Sequence, residues 1–246
     1  MKIKKNKTYI IAEIGINHEG DYEKAKKLII NAATAGADAV KFQLFKPKTL
    51  AGFHTKKTSD QYKNTIKSEN LTKMWERMQL SYEKLLKLKK ISKKLSLDFI
   101  CSVFDRESLM IANKIKLDAI KMASSDLNDF KLIKELKSFR KEIIISTGMG
   151  SANEIKKTLK YIGKKKIILL HCVSLYPCKN ELINLNRMKT LKRKFKVPVG
   201  YSDHSIGNNA CIAAIVLGAQ VIEKHFTINK KKKGADHILS ADKSDL

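Results

Sequence analysis

Arginine is scarce in this 246-residue chain: it stands only at positions 77, 106, 140, 187 and 193, so nearly all of the 50 basic residues are lysines. Proteins that read nucleic acids lean on arginine for bidentate contacts to bases and phosphates. Here the lysines are spread along most helical stretches and over Lys230–Lys233, the pattern of a solvated surface, and no nucleic-acid partner is expected. The formal net charge of +26 would still draw anionic small molecules toward the protein. Cysteine is also sparse, and residues 101, 172, 178 and 211 form no Cys-x-x-Cys pair and no zinc-ligand spacing. Cys101 and Cys172 end apolar runs, ordinary places for the reduced thiols of a cytosolic protein. Long apolar runs are missing altogether. The longest, Ala210–Ala219, falls far short of the roughly 20 residues that span a bilayer. The lysine-rich start has Glu13 inside its apolar run and no small-residue cleavage site after it. A soluble, cytoplasmic protein with no membrane partner is expected.

What is present is regular alternation. An apolar share of 43% is ample for one core, and 246 residues suit a single α/β barrel domain. Strands are expected at Tyr9–Ile14, Ala39–Gln43, Phe99–Val103, Ala119–Ala123, Ile143–Ser146, Ile167–His171, Val197–Tyr201 and Gln220–His225. Helical patterns with lysines on the outer face lie between them, at Tyr22–Ala35, Tyr82–Leu95, Arg106–Ile115, Phe130–Phe139, Ala152–Ile162, Ile183–Phe195 and Gly207–Leu217. Ser81 and Asp105 stand where helix caps belong, and Ser151-Ala-Asn-Glu154 has the form of a capping box. No Gly-rich dinucleotide turn follows the first strand, and Asp38-Ala-Val-Lys41 is echoed by Asp118-Ala-Ile-Lys121. Both points favour a closed (β/α)8 TIM barrel over a doubly wound sheet. Lys46–Leu80 breaks the rhythm with a long connection holding Trp75, the one tryptophan. Ser240–Leu246 reads as the cap and first turn of an eighth helix that goes no further. Seven helices cannot cover eight strands, so an apolar strip should stand exposed.

In such a barrel the chemistry sits at the C-terminal strand ends. His204, after Gly200-Tyr-Ser-Asp, and His225, after Glu223-Lys, end successive strands. Two imidazoles there, beside Asp203 and Glu223, are read as a metal site rather than as two buried, hydrogen-bonded histidines. Two histidines with oxygen donors suit Mn2+ or Mg2+ with open water positions better than structural zinc. Lys41 and Lys121 interrupt strand cores, where an ammonium loses hydration. They are read as holding a shared anion, with Ser124, Ser146 and the turn after strand five donating hydrogen bonds. The remaining strand ends bring Glu13, Gln43, Ser102, Asp126, Ser174 and Tyr176. His171 fits a core histidine as well as a site residue, and His18 and Glu19 fit capping as well as sugar contact. A cation, lysines for phosphate or carboxylate and a carboxylate base describe a condensation on an anionic substrate.

Ile11-Ala-Glu-Ile-Gly-Ile-Asn-His-Glu-Gly20, Val40-Lys-Phe-Gln43, Lys121-Met-Ala-Ser-Ser-Asp126, Ser146-Thr-Gly-Met149, His171-Cys-Val-Ser-Leu-Tyr-Pro177, Gly200-Tyr-Ser-Asp-His204, Glu223-Lys-His-Phe226 and Asp236-His237 together resemble the sialic acid synthase family, with its legionaminate and pseudaminate members. The resemblance implies a metal-dependent transferase that condenses phosphoenolpyruvate with an N-acetylated hexose, N-acetylmannosamine or a 2,4-diacetamido-trideoxyhexose, into a nine-carbon 2-keto acid and phosphate. It implies that His204 and His225 hold the metal. Lys41, Ser102, Lys121, Ser124, Ser146, Ser174 and Ser202 would cradle phosphoenolpyruvate, and Glu13 would handle the proton of the attacking water. Gln43, Asp126, Tyr176 and Asp236 would face the sugar. A homodimer is implied too, with an eighth helix and a small antifreeze-like C-terminal domain that this chain is expected to lack. Cys178-Lys-Asn180 and Ala235 depart from the family pattern at the sugar end. Another phosphoenolpyruvate-sugar aldol synthase, or a truncated inactive barrel with a structural role, are the alternative expectations.

Overall fold

The computed structural model describes residues 1, 3, 7–50, 56, 57, 59–164 and 166–246. In chain order the elements are β1 (Tyr9–Gly15), α1 (Tyr22–Thr34), β2 (Ala39–Leu44), α2 (Pro47–Leu50), α3 (Ser59–Asn64), α4 (Leu71–Met78), α5 (Tyr82–Lys94), β3 (Asp98–Val103), α6 (Arg106–Ile115), β4 (Ala119–Met122), α7 (Phe130–Leu136), β5 (Glu142–Ser146), α8 (Ala152–Ile162), β6 (Ile167–His171), α9 (Asn186–Phe195), β7 (Val199–Asp203), α10 (Asn209–Val216) and β8 (Val221–His225). The eight strands pair in parallel with their sequence neighbours, and β8 closes on β1. The fold is therefore the (β/α)8 barrel expected from the alternation.

Pleat parity divides the side chains into two sets. Inside the barrel, Tyr9, Ile11, Ala39, Ile100, Ala119, Ile144, Ile168, Leu170 and Val221 fill the lower layers. Outside, Val40, Phe42, Phe99, Cys101, Ile120, Ile143, Ile145, Leu169, Tyr201 and Ile222 pack under the helices. The inward positions above the apolar floor hold Glu13, Lys41, Ser102, Lys121, Ser146, Ser202 and Glu223. The repeated Asp-Ala-x-Lys segment now has a physical reason. Asp38 and Asp118 each accept the backbone N–H of the preceding strand, from Ile10 and Phe99, both at 2.9 Å. Three residues on, the pleat turns Lys41 and Lys121 into the barrel.

The expected caps form. Ser81 accepts from Lys84 N, Asp105 from Ser108 N, and Ser151 with Glu154 makes the full capping box. β7 starts two residues later than expected and runs on to Asp203. The long connection after β2 carries α2, α3 and α4, while its residues 51–55 and 58 lie outside the described residues. α4 packs Leu71, Met74 and Met78 on Ile16 and Phe45, with Leu50, Trp75, Phe104 and Ala235 at the margin, as a separate apolar cluster over the top of the barrel. After β8 the described residues form a short 3-10 turn, His237–Leu239. At Ser240–Leu246 a hydrogen-bonded turn stands where an eighth helix was expected to begin, with Asp242 accepting the N–H of Ser244 at 3.0 Å. α10 bears the expected apolar strip: Ile212 and Val216 are 59% and 81% exposed.

Candidate active site

A cavity of about 580 Å3 opens at the C-terminal ends of the strands. Of the residues expected at the site, Glu13, Lys41, Gln43, Ser102, Lys121, Ser124, Ser146, Ser174, Tyr176, Ser202, His204, His225 and Asp236 all line it. Asp126 does not line it. The 3-10 turn Ser124–Asp126 advances about 120° per residue, so Ser124 and Ser125 face the cavity and Asp126 turns aside to accept from Ser125 Oγ at 3.0 Å. A second cleft, of about 630 Å3 between α7 and α8, is lined by Phe130, Tyr161 and four lysines and holds no histidine or carboxylate.

The two buried lysines are not equivalent. Lys41 Nζ lies 3.0 Å from Glu13 Oε2, 3.6 Å from Glu223 Oε2 and donates to Ser102 Oγ at 3.1 Å. Burial opposes its charge, but the Glu13 and Glu223 carboxylates outweigh burial and raise its pKa. Lys121 donates to Ser146 Oγ at 2.6 Å and to the Met122 carbonyl at 3.2 Å, and it forms no ion pair with a described carboxylate. Burial lowers its pKa and Lys41 adds to that, against the pull of Glu223. An ammonium so placed favours an incoming anion. Ser124 and Ser174 hydrogen-bond each other at 2.9 Å on the same wall.

The carboxylates are pushed apart. Glu13, which also accepts from Gln43 Nε2 at 3.3 Å, has its pKa raised to about 7 by burial and by Glu223, despite Lys41. Burial would raise Glu223 as well, but Lys41, Lys121 and a 2.9 Å hydrogen bond from Ser202 Oγ hold it below its ordinary value. One carboxyl thus exchanges protons near neutrality while its neighbour stays ionised.

His204 and His225 stand 5.7 Å apart between ring centroids, with the Tyr176 ring 4.1 Å from His204. His204 Nδ1 is 2.7 Å from the Val173 carbonyl, which fixes it as the donor and leaves Nε2 as the imidazole's lone-pair nitrogen. His225 Nδ1 is buried without a hydrogen bond, 3.7 Å from Asp236 Oδ2. Burial lowers the pKa of both rings, to about 4 for His204 and well below the ordinary value for His225. Both are neutral at pH 7, as ligand imidazoles must be. Among the described residues no group of three or more His, Cys, Asp or Glu side chains gathers as a metal cage.

The outer face of β7 and β8 carries a second polar system. Lys224 Nζ pairs with Asp203 Oδ2 at 2.6 Å, and both side chains are fully buried. Asp203 also accepts from Tyr201 Oη, Ser205 N, Ser205 Oγ and Cys211 Sγ. Asp203, expected beside the imidazoles, is therefore outside the barrel. His171 is outside as well, bonded to the Ile183 carbonyl at 2.6 Å beneath α9. His18 and Glu19 prove to be loop-forming residues. His18 accepts from Gly20 N at 2.9 Å, and Glu19 pairs with Lys24 at 2.8 Å and Lys232 at 2.5 Å. Lys224 was not singled out in the sequence, nor were the apolar cavity residues Leu50, Phe104 and Leu175. No helix of the described residues is long and apolar enough to cross a membrane.

Known proteins resemble this chain in sequence and in fold. The chain is 40% identical over 245 residues to the N,N'-diacetyllegionaminic acid synthase of Campylobacter jejuni, an alignment covering 98% of this chain and 73% of that protein. It is 35% identical over 243 residues to the N-acetylneuraminate-9-phosphate synthase of Drosophila melanogaster, covering 97% and 65%. The crystal structure of N-acetylneuraminic acid synthetase from Leptospira borgpetersenii superposes with a TM-score of 0.88 at 34% identity, covering 98% of this chain and 80% of that one. Residues 28–246 match the NeuB family, and the chain belongs to that family.

Proposed function

We propose that the protein condenses phosphoenolpyruvate with an N-acetylated hexose to give a nine-carbon 2-keto acid and phosphate. The observation that carries this reading is Lys121, a buried ammonium that donates to Ser146 Oγ and the Met122 carbonyl, lines the cavity beside further serines and has no described carboxylate partner. Lys121, Ser146, Ser102, Ser124 and Ser174 bind the phosphate and carboxylate of phosphoenolpyruvate. Lys41 offsets part of the negative charge that Glu13 and Glu223 place near that anion. C3 of phosphoenolpyruvate attacks the sugar aldehyde, whose oxygen takes a proton. Water then adds at the cationic C2, and the resulting hemiketal phosphate collapses with release of phosphate. Glu13, poised near neutrality, takes the proton from that water. Gln43, Tyr176 and Asp236 orient the sugar.

The two neutral imidazoles fit a divalent cation, Mn2+ or Mg2+, with His204 Nε2 and His225 as the protein ligands and the other positions left to water or substrate. Such a cation supplies Lewis-acid polarisation of the aldehyde oxygen. The test is phosphate release from phosphoenolpyruvate with Mn2+ and a panel of N-acetylated hexoses. Sugar-dependent release is expected from the native protein, and none from His204→Ala or after chelation. Equal release from His204→Ala would refute the metal assignment.

A further inference from the structure

The cleft between α7 and α8 lies outside the barrel and shares no described lining residue with the active-site cavity. Its volume of about 630 Å3 falls within the roughly 300–1,000 Å3 that small-molecule sites occupy. Each helix presents one aromatic ring and two lysines to it. On α7 these are Phe130, Lys134 and Lys137, the last at the helix C-cap, and on α8 they are Lys157, Lys160 and Tyr161. Steps of three, four and seven residues set each trio on one helix face.

Neither half of this lining is satisfied within the described residues. The Phe130 and Tyr161 rings meet at 6.1 Å between centroids, tilted 65° edge to face, yet they stand 42% and 45% exposed. Leu132, Ile133 and Leu136 of α7 and Ile155 and Leu159 of α8 already fill the core beneath them. None of the four ammonium groups forms an ion pair or hydrogen bond with a described residue, whereas Lys24, Lys46 and Lys230 are paired with carboxylates. The carboxylates of these two helices are engaged elsewhere. Glu135 pairs with Arg106 at 3.6 Å, and Glu154 accepts from Ser151 N at 2.6 Å and Asn128 Nδ2 at 2.7 Å. Lysines three apart on each helix repel one another, and an anion seated between the helices would relieve both pairs. We infer that this cleft binds a free nucleotide, a nucleoside diphosphate or triphosphate whose phosphates bridge the lysines while its base stacks on Phe130 or Tyr161. An anion alone would leave the rings uncovered, and a neutral ring alone would leave the lysines unmatched. No arginine is among the described lining residues, and nucleic-acid readers lean on arginine, so a free nucleotide fits better than a strand. The site is independent of the condensation proposed above.

The experiment titrates the full chain with N-methylanthraniloyl-ADP at near-physiological salt and follows the anisotropy of the probe. Excess phosphoenolpyruvate is present throughout to compete for the barrel cavity. The probe should bind, ADP should displace it, and pyrophosphate or adenosine alone should displace it about tenfold less well or worse. Lys134→Ala combined with Lys157→Ala should weaken binding roughly tenfold. Phe130→Leu combined with Tyr161→Leu should do the same, and both pairs should keep urea midpoints near native. Lys87→Ala with Lys189→Ala, exposed lysines on α5 and α9, should bind as the native protein does. Absence of binding, or binding unchanged in both cleft variants, would overturn the inference. So would pyrophosphate displacing as well as ADP, an equal loss in the control pair, or tighter binding of a short single-stranded RNA than of ADP.

Discussion

Replacing Lys224 by methionine keeps the length of the side chain and removes its charge from a site with no access to water. Asp203, 0% exposed, then loses its closest contact, the 2.6 Å ion pair, and keeps Tyr201 Oη at 2.9 Å, Ser205 N at 2.9 Å, Ser205 Oγ at 2.7 Å and Cys211 Sγ at 3.3 Å. Removing one partner of a buried pair costs about 3–5 kcal/mol, and the four surviving donors put this case near the lower figure. The Ser205 carbonyl, which also accepts from Lys224 at 2.6 Å, loses that donor, adding about 1 kcal/mol. Lys224→Met should therefore lose about 4 kcal/mol, read as a lower urea midpoint at unchanged m-value. Asp203→Asn should lose a comparable amount, and the double variant less than the sum by at least about 1.5 kcal/mol, because neither charge is then stranded. A cost below about 1 kcal/mol for Lys224→Met, or additivity within about 0.5 kcal/mol, would refute the ion pair as the fastening of β7 to β8. Acid provides a second check. Burial would raise the Asp203 pKa, but Lys224 outweighs it and holds it below its ordinary 3.8. Its contribution is present above about pH 4 and disappears as pH falls through the depressed value, so the native protein should lose more stability there than Lys224→Met.

Glu13→Gln addresses the proposed base: the native kcat/KM should climb toward a plateau above pH 7, since Glu13 titrates near that value, whereas the variant should lose that limb and fall by roughly 10^2 to 10^4 in rate. Because the folded-state pKa lies above the ordinary 4.5, the carboxyl's stabilising contribution is full below about pH 4.5 and is lost as pH rises through about 7; the native urea midpoint should fall over that range more than that of Glu13→Gln, and the same pH dependence in both would contradict the assignment. Gly148→Ala probes the close approach of the loop after β5 to the end of β6. Its Cβ would meet Cys172 Sγ at 2.7 Å, Ser174 Oγ at 2.8 Å and the Cys172 carbonyl at 3.0 Å, so roughly 1–3 kcal/mol of stability should go, with an increased KM for phosphoenolpyruvate as Ser174 is displaced; native kinetics and midpoint would count against the role given to that wall.

Much of the architecture was legible in the sequence, because most strands are short apolar runs and several helices, α5, α6 and α8 among them, carry their own caps. Strand phase was much harder to read. Ile167-Ile-Leu-Leu-His171 is apolar on both faces, as buried parallel strands are, so nothing in it told that His171 would point away from the barrel. At Gly200–His204 polar residues occupy both faces, and the inward Ser202 and His204 look no different in sequence from the outward Asp203. Asp126 was grouped with Ser124 because a turn of three residues per revolution leaves no apolar pattern to read. The inequality of Lys41 and Lys121 follows from the register that sets Glu13 beside Lys41, a long-range fact absent from any local window. The apolar cluster at the mouth was hidden for a similar reason: Phe45 and Trp75 are far apart in the chain, and their rings meet only where α4 folds back over the barrel.

The alternation along β7 and β8 bears on how the chain finds its own register. Ser202 and His204 face inward around outward Asp203, and Glu223 and His225 face inward around outward Lys224. If these strands settled one residue out of step, the ammonium and carboxylate would swing into the hollow while the imidazoles were forced against α10. Both compartments would object at once, one holding unmated charge and the other bulky polar rings among aliphatic neighbours. The scaffold in this sense penalises the slipped register, and the imidazoles face each other only in the correct one.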